Sequence, residues 1–454
     1  MKLIYGVEDK PKFGHLLVFA IQQLLAIMTA TLVVPVVVNQ ATGSQMSSAA
    51  ALLGAGVGTL IYVLFTKRKS PVFLGSSFAF ISSMIAAFAG GTSMSLGYLG
   101  LIIGAIFAAL VYIIIAVVVK LSGVKWINKV MPVSVIGPTV AIIGLSLAGN
   151  AIGDMTKGSI PGVEASPLIT VLCGIITLII TIISSTYSKK IGKLIPFIFG
   201  ILGGYAAAAI FTVIGVNADI EALQILNIEP FKQLVANGVC LETFISLPAF
   251  TFVDAFAGIP EITPAYISTI AVAYVPVAFV VFAEHIADHK NISSIIEKDL
   301  LEEPGLHRTL LGDGVGSLFG AFFGGCPNTT YGESVGCVAI TRNASVATII
   351  TAAVLAIIIA FISPFIAFVN SIPSCVMGGV CMALYGFIAV SGLKMLQQVN
   401  LNLNKNLFVV STILIAGIGG LTLNIGKITI TSIACALILG IVINLILSRA
   451  KDTE

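Results

Sequence analysis

Long apolar runs separated by short polar segments recur from Leu16 almost to the C-terminus. A transmembrane helix needs about 20 predominantly apolar residues to cross the hydrocarbon core of a bilayer. The pattern therefore predicts an all-α polytopic membrane protein with fourteen transmembrane segments, at roughly 14–37, 47–66, 72–90, 98–119, 131–149, 167–186, 194–215, 266–290, 309–325, 329–341, 345–367, 373–392, 406–423 and 428–448.

The composition supports this class. The chain of 454 residues is 57% hydrophobic and 9% charged, with a mean hydropathy of +1.09, whereas a soluble domain is about 25% charged. The first apolar run is too long for the hydrophobic part of a cleavable signal. The seven cysteines follow neither a metal-ligand spacing nor a disulfide framework. We therefore expect no metal and no cofactor, and the net charge of +3 gives no sign of a nucleic-acid partner.

The basic residues separate cleanly when the N-terminus is placed inside and fourteen segments are threaded. Of the 23 Lys and Arg residues, only Lys157, Lys232 and Lys427 fall on the opposite side. Because basic residues concentrate on the cytoplasmic side, both termini are predicted to be cytoplasmic, in a multi-pass protein of the inner (cytoplasmic) membrane. Adding or removing one segment would disrupt the separation for everything downstream.

The long polar stretch 216–265 divides the segments into two sets of seven. An odd number per half inserts the second half upside down, which predicts 7+7 inverted repeats joined by an extracytoplasmic connection. The third and tenth segments occupy corresponding places, and both are interrupted by Pro, Gly and a hydroxyl residue, Ser at 70–77 and Thr at 324–332. Paired interruptions of this kind indicate a substrate site. The alternative for 75–77 is that small residues only allow close helix packing.

Two carboxylates lie next to these features. Glu333 is the only charged residue between Asp313 and Arg342, and Glu284 lies near the end of the eighth segment. A charge in hydrocarbon costs about 2.5–3.5 kcal/mol or more, and protonation removes most of that cost, so both are candidate proton carriers. The alternative for Glu284 is a solvated charge at a helix end.

Four other ionisable residues follow Glu284 within six positions. Asp288 follows Glu284 by one turn and shares its helix face. His285 points about 100° away and is interpreted as a packing or interface residue and not as a proton relay. His289 and Lys290 are interpreted as the exit of the helix from the membrane.

Five motifs occur in order: LGSSFAFI at 74–81, AEHI at 283–286, PGLHR at 304–308, PNTTYGE at 327–333 and VAITR at 338–342. Together they resemble the nucleobase–ascorbate transporter (nucleobase:cation symporter-2) family, and most closely its bacterial uracil carriers, along nearly the whole chain. The resemblance implies a core domain at 14–120 and 266–367, a gate domain at 125–215 and 373–448, and short antiparallel strands in spans 3 and 10. It also implies that the eighth segment shifts toward 270–296, which places Glu284 in mid-membrane.

The resemblance also implies a function and a site. The chain would be a secondary active transporter, not an enzyme, that imports a nucleobase by proton symport. Glu284 would bind one N–H and C=O edge of the base, and Glu333 would bind the opposite N–H. The other site residues implied are the backbone amides of Phe78 and Gly332, and Ala30, Tyr331 and Tyr385 against the ring. Glu284 and Asp288 would carry the proton coupling.

Three residues depart from the pattern of the uracil carriers. Asp288 stands where they carry His, Ser334 replaces the usual Asn, and Gln23 replaces His. Purine carriers of the family often have Asp at the first position but commonly Gln in place of Glu333. Uracil is therefore the first expected substrate, with xanthine or uric acid as the alternative. Sodium coupling is an alternative to proton coupling, and a homodimer stays open.

Other classes of function fit the sequence less well. Two carboxylates would repel an anionic substrate. The sequence shows neither a cluster with metal-ligand spacing nor a nucleophile–base pair, either of which would indicate an enzyme. The sequence also lacks a Gly-rich loop followed by Lys-Ser/Thr, the motif that would indicate ATP-driven transport.

Overall fold

Helices make up most of the computed structural model, which describes residues 3–123, 125–160, 162–189, 195–236, 238–425 and 428–448. The first half contains α1 (Phe13–Thr42), α2 (Ser48–Phe65), β1 (Leu74–Ser76), α3 (Ile81–Ala89), α4 (Met94–Ser122), α5 (Lys125–Val130), α6 (Val133–Ser146), α7 (Ala148–Met155), α8 (Pro167–Tyr187) and α9 (Pro196–Asn217). Short helices α10 (Glu229–Val235), α11 (Leu241–Phe244) and α12 (Thr251–Phe256) follow.

The second half contains α13 (Pro264–Ile296), α14 (Leu306–Gly324), β2 (Asn328–Thr330), α15 (Gly332–Thr341), α16 (Val346–Ile359), α17 (Ser363–Ser371), α18 (Ser374–Leu396), α19 (Asn404–Ile418), β3 (Leu423–Ile425), β4 (Ile428–Ile430) and α20 (Ser432–Leu447). Short 3₁₀ helices lie at Phe78–Phe80, Glu221–Leu223 and Ile259–Glu261. β3 pairs with β4 in an antiparallel hairpin.

Eight helical stretches in the described part of the chain are long and apolar enough to cross a membrane, and four shorter apolar helices accompany them. Many large apolar side chains face outward. On α8 they are Leu168, Leu172, Ile175, Ile179, Ile182 and Ile183. Because a helix apolar on its outer face is stable in lipid and not in water, the prediction of a mostly helical, multi-pass membrane protein is confirmed.

Helix α13 is 33 residues long. It begins where the Oγ1 of Thr263 accepts a hydrogen bond from the N–H of Tyr266, and it ends at Glu297 in the left-handed conformation. The helix continues past the predicted exit at His289 and Lys290, where the side chain of His289 is fully buried in the protein and that of Lys290 is exposed. The helix continues past Lys290 because Ile292 and Ile296 bury on the same packed face.

The two interrupted segments meet through their strands. β1 and β2 pair in antiparallel register, Leu74 with Thr330, Gly75 with Thr329 and Ser76 with Asn328. Each strand leads directly into a helical segment, the 3₁₀ helix at Phe78 and α15 at Gly332. Backbone groups inside a membrane protein must be paired within the protein, and the strands provide this pairing for each other.

Glycines allow the close packing that holds β2. Helix α2 crosses α14 so closely that a Cβ at Gly54 would lie 2.7 Å from the carbonyl oxygen of Gly320, and a Cβ at Gly58 would lie 2.6 Å from that of Gly316. The Nδ2 of Asn328 donates to the carbonyl of Gly54 at 3.1 Å. Small residues therefore let two helix backbones approach each other and fix the strand between them.

The helices pack in two sets. Helix α2 packs against α14 and α16, while α4 packs against α13 and α14. In the other set, α18 packs against α6, α7 and α8, α9 packs against α8, and α19 packs against α6 and α20. Helix α1 joins the first set through α2, α15 and α16.

Candidate functional site

Carboxylates from two elements converge beside the strands. Helix α13 carries Glu284 and Asp288 one turn apart, and α15 carries Glu333 in its first turn. The acidic side chains close enough to interact electrostatically with Glu284 are Asp288, Glu333 and Asp313. Glu284 and Glu333 are partly exposed and Gly332 is exposed, whereas Asp288 is buried. The structure therefore brings the two predicted glutamates together, on a surface that is open at the start of α15.

Asp288 is fixed between the strand and α15. The hydroxyl of Thr330, at the end of β2, donates to Oδ2 of Asp288 at 2.8 Å. A Cβ at Gly332 would lie 3.7 Å from Oδ1 of Asp288 and would meet nothing closer. A Cβ at Gly336, one turn further along α15, would meet nothing within 4 Å. An added methyl group at either glycine would therefore meet no close neighbour.

Two helix starts face this region. Phe78 is the first residue of the 3₁₀ helix after β1, and Gly332 is the first residue of α15 after β2. The first N–H groups of a helix have no partner within it, so they are available to a ligand oxygen. The same helix terminus favours the negative charge of Glu333 by about 0.3–1 kcal/mol in ordinary exposed settings.

The aromatic residues predicted for the site lie in two places. The hydroxyl of Tyr331 donates to the carbonyl of Ser76 at 2.7 Å, and its ring covers Gly75, where a Cβ would lie 2.4 Å from the ring. Phe78 and Tyr385 meet edge to face with centroids 5.8 Å apart. Because Tyr385 lies on α18, this contact joins the two packed sets of helices at the site. Ala30 is buried in α1, which packs against β1 and α15.

Two of the three departures from the uracil-carrier pattern touch each other. The Nε2 of Gln23 donates to the Oγ of Ser334 at 2.5 Å, and the backbone N–H of Phe73 donates to the same oxygen at 2.9 Å. Sequence reasoning named both residues but could not pair them, since they are 311 positions apart. The contact ties α1 to the start of α15 just behind Glu333.

The two histidines of α13 form a buried polar cluster that the sequence did not predict. His285 contacts Asp313 and Thr309, both on α14, and His289 contacts Tyr62 on α2. The interpretation of His285 as a packing residue captures its burial but not these polar partners. The available signal was the pair His285 and His289, spaced by four residues on one helix face, with Asp313 inside an apolar segment.

Among the residues that the structure describes, no group of three or more His, Cys, Asp or Glu side chains is arranged to hold a metal ion. The carboxylates of the site are instead placed to accept hydrogen bonds from N–H groups, or to donate one when protonated.

Known proteins resemble this chain along its length. The sequence model of a family described as the permease family matches residues 14–426. The uracil permease of Bacillus subtilis (strain 168) is 37% identical over all of this chain and 97% of its own length. The uracil permease of Escherichia coli (strain K12) is 34% identical over 97% of this chain and 93% of its own length.

Solved structures share the fold at much lower identity. The transmembrane domain of a cyanobacterial bicarbonate transporter, BicA, matches with a TM-score of 0.59 at 15% identity, over 97% of this chain and 99% of that domain. The murine anion transporter Slc26a9 in its inward-facing state matches with a TM-score of 0.62 at 11% identity, over 97% of this chain and 69% of that protein. The family match and the similarity to full-length relatives show that the chain belongs to the permease family, the nucleobase–ascorbate transporters that its motifs resemble, and that it is a multi-pass membrane transporter and not an enzyme.

Proposed function

We propose that the protein is a secondary active transporter that imports a nucleobase, uracil first, by proton symport across the cytoplasmic membrane. The observation that carries the proposal is the convergence of Glu284 and Glu333 beside the starts of two helices. The uracil permeases that are similar to the chain support the substrate class.

Uracil complements these groups chemically. Its planar edge carries two N–H donors and two C=O acceptors. The carboxylate of Glu333 accepts one N–H. Protonated Glu284 donates to a carbonyl oxygen and accepts the second N–H, while the amides of Phe78 and Gly332 donate to carbonyl oxygens. A site built on such bonds rejects analogues that lack them far more strongly than an apolar pocket does.

An anion carrier is the rival that the shared fold raises, since the solved structures of the same fold are a bicarbonate transporter and an anion transporter. Those structures are under 25% identical to this chain and share only its fold. Carboxylates at 284, 288 and 333 would repel an anion, whereas they suit a neutral base rich in N–H groups.

In the proposed coupling, Glu284 is protonated before or together with substrate arrival from outside. With Glu284 protonated, the hydrogen-bonded site carries one negative charge fewer and crosses the membrane barrier at lower cost. After the site opens inward, the proton leaves Glu284. Asp288 tunes this release, because its carboxylate interacts electrostatically with the carboxyl group of Glu284 that holds the proton. Asp288 also interacts with Glu333.

The architecture we propose has fourteen spans in 7+7 inverted repeats, with a core domain of spans 1–4 and 8–11 and a gate domain of spans 5–7 and 12–14. The two packed sets of helices support this division, because α1, α2, α4, α13, α14 and α16 pack together while α6–α9 and α18–α20 pack together. The antiparallel pairing of β1 with β2 supports the short strands that we propose for the third and tenth spans.

Contacts between distant loops support the proposed orientation. The backbone N–H of Ile4 donates to the carbonyl of Arg342. Glu8 lines one cavity together with the ion-paired Lys69 and Glu303, which supports placing all of them on the side proposed as cytoplasmic. On the other side, the hydroxyls of Thr92 and Ser93 donate to Glu261. The N–H of Ser246 donates to Phe361 there as well.

A labelling experiment tests this orientation. A single cysteine at position 69 should react with a membrane-impermeant reagent only from the cytoplasmic side, where the basic residues concentrate. A single cysteine at position 232, in the proposed extracytoplasmic connection, should react only from outside. The measurement is labelling in right-side-out and inverted vesicles. Reaction of position 69 only from outside would refute the threading.

The substrate is tested by competition. The mixed pattern of Asp288, Ser334 and Glu333 leaves a purine carrier as the second candidate. Purified protein in proteoliposomes should take up radiolabelled uracil, and unlabelled uracil should compete better than xanthine or uric acid, with ascorbate without effect. Stronger competition by xanthine or uric acid would replace uracil by a purine as the substrate.

A further inference from the structure

A buried acid–base pair lies outside the candidate site, where α13 packs against α14 and α2. His285, His289 and Asp313 are fully buried. The Nδ1 of His285 lies 2.7 Å from the Oδ2 of Asp313, and its Nε2 lies 3.0 Å from the Oγ1 of Thr309. The His289 ring stacks on the His285 ring with centroids 4.0 Å apart.

The hydrogen atoms of the His285 ring follow from its neighbours. The hydroxyl of Thr309 is placed to donate to the carbonyl oxygen of Leu306, 3.0 Å away. In that arrangement the Oγ1 of Thr309 accepts from His285, and Nε2 of His285 carries a hydrogen. A neutral imidazole has only one N–H, so Nδ1 of a neutral His285 is an acceptor.

The contact between His285 and Asp313 then requires a proton. An ionised Asp313 has only acceptor oxygens, and two acceptors 2.7 Å apart repel each other. Either Asp313 is protonated and donates to Nδ1, or His285 is an imidazolium that donates to a carboxylate. In both forms the pair holds one proton and has no net charge.

The second oxygen of Asp313 points to the same conclusion. Its Oδ1 is buried and has no hydrogen-bond partner among the described residues, and a buried carboxylate without partners strongly favours the neutral form. The titratable groups that face the pair are Tyr62 from α2, Tyr112 from α4, and Glu284, Asp288 and His289 from α13.

His289 is bonded to other groups. Its Nδ1 lies 2.7 Å from the carbonyl oxygen of His285 and carries a hydrogen, since a carbonyl only accepts. Its Nε2 lies 2.6 Å from the hydroxyl oxygen of Tyr62, and Tyr62 donates to the Oγ of Ser70 at 2.7 Å. Both ring nitrogens of His289 are therefore bonded outside the contact between His285 and Asp313.

We propose that Asp313 and His285 form a proton-binding site of their own, which holds one proton between Oδ2 and Nδ1. When this proton leaves to water, a carboxylate and a neutral imidazole remain, and the charge of the pair changes from zero to −1. Because Asp313 interacts electrostatically with Glu284, the occupancy of this site acts on the substrate site. This effect on the substrate site rests on the proposed function, whereas proton binding by Asp313 and His285 does not.

The occupancy is measured on the purified full-length protein without substrate or gradient. Infrared spectroscopy detects a protonated carboxyl, and ¹⁵N NMR of labelled histidine detects an imidazolium. We expect one of these signals at neutral pH, and it should be lost in Asp313→Asn. The same change at another buried carboxyl, Asp154→Asn on α7, should leave it in place. A carboxylate at Asp313 together with a neutral His285 at neutral pH would overturn the proposal.

Thr309 provides a matched pair of variants. Thr309→Val removes the acceptor that keeps a hydrogen on Nε2, so neutral His285 can donate from Nδ1 to an ionised Asp313. The protonated fraction at a given pH should therefore fall in Thr309→Val and stay unchanged in Thr309→Ser. Identical titrations of the two variants would also overturn the proposal. Either failure leaves proton-driven uracil uptake, which is measured separately, untouched.

Discussion

Glu333→Gln is expected to weaken uracil binding by about 10- to 100-fold. Gln keeps the shape and one acceptor but loses the charge and one carboxylate oxygen. Loss of one partner of a buried hydrogen bond costs about 1–3 kcal/mol, and more when the group is charged, which corresponds to this range of affinity. The variant is also expected to shift preference toward xanthine, because purine carriers of the family commonly have Gln at this position.

The measurement is the dissociation constant of uracil and of xanthine for the purified protein, by calorimetry or scintillation proximity. Glu303→Gln is the matched control, since Glu303 lies on the surface, where it pairs with Lys69, and should not alter either constant. Unchanged uracil affinity in Glu333→Gln would remove Glu333 from contact with the base.

Glu284→Gln is expected to abolish accumulation of uracil against its gradient while binding and exchange persist. The amide supplies a donor and an acceptor as a protonated carboxyl does, so it imitates the loaded state and cannot release a proton. Wild-type uptake should rise as the outside pH falls and collapse with a protonophore, whereas exchange by the variant should respond to neither.

Counterflow separates these two activities, because it needs binding and reorientation but no net proton movement. Glu302→Gln, at an exposed glutamate between α13 and α14, provides the control and should accumulate uracil like the wild type. If Glu284→Gln accumulates uracil as steeply as the wild type under a pH gradient, another group carries the coupling proton.

The sequence predicts well those features that repeat or that stand out against hydrocarbon. Membrane helices follow from apolar length, and Glu284 and Glu333 stand out because a charge in lipid is costly. The interruptions at 70–77 and 324–332 locate β1 and β2, although their register depends on Asn328 seated between α2 and α14, a contact across 274 positions.

Features that depend on tertiary contact could not be predicted. Hydropathy alone ends the eighth segment at Lys290. The helix continues beyond that point because His289 bonds to Tyr62 and because the following turns pack against the protein. Likewise Gln23 and Ser334 read as two separate departures from a motif, but the structure makes them one hydrogen bond. A single sequence shows which residues are unusual, but not which of them touch.

The central claim is that a neutral nucleobase and a proton cross together through the site of Glu284 and Glu333. The most direct test is radiolabelled uracil accumulation in sodium-free proteoliposomes with an imposed pH gradient, acidic outside. The account predicts accumulation above the outside concentration that a protonophore abolishes and that excess uracil competes. No accumulation under this gradient, with full accumulation when a sodium gradient is imposed at equal pH, would contradict it.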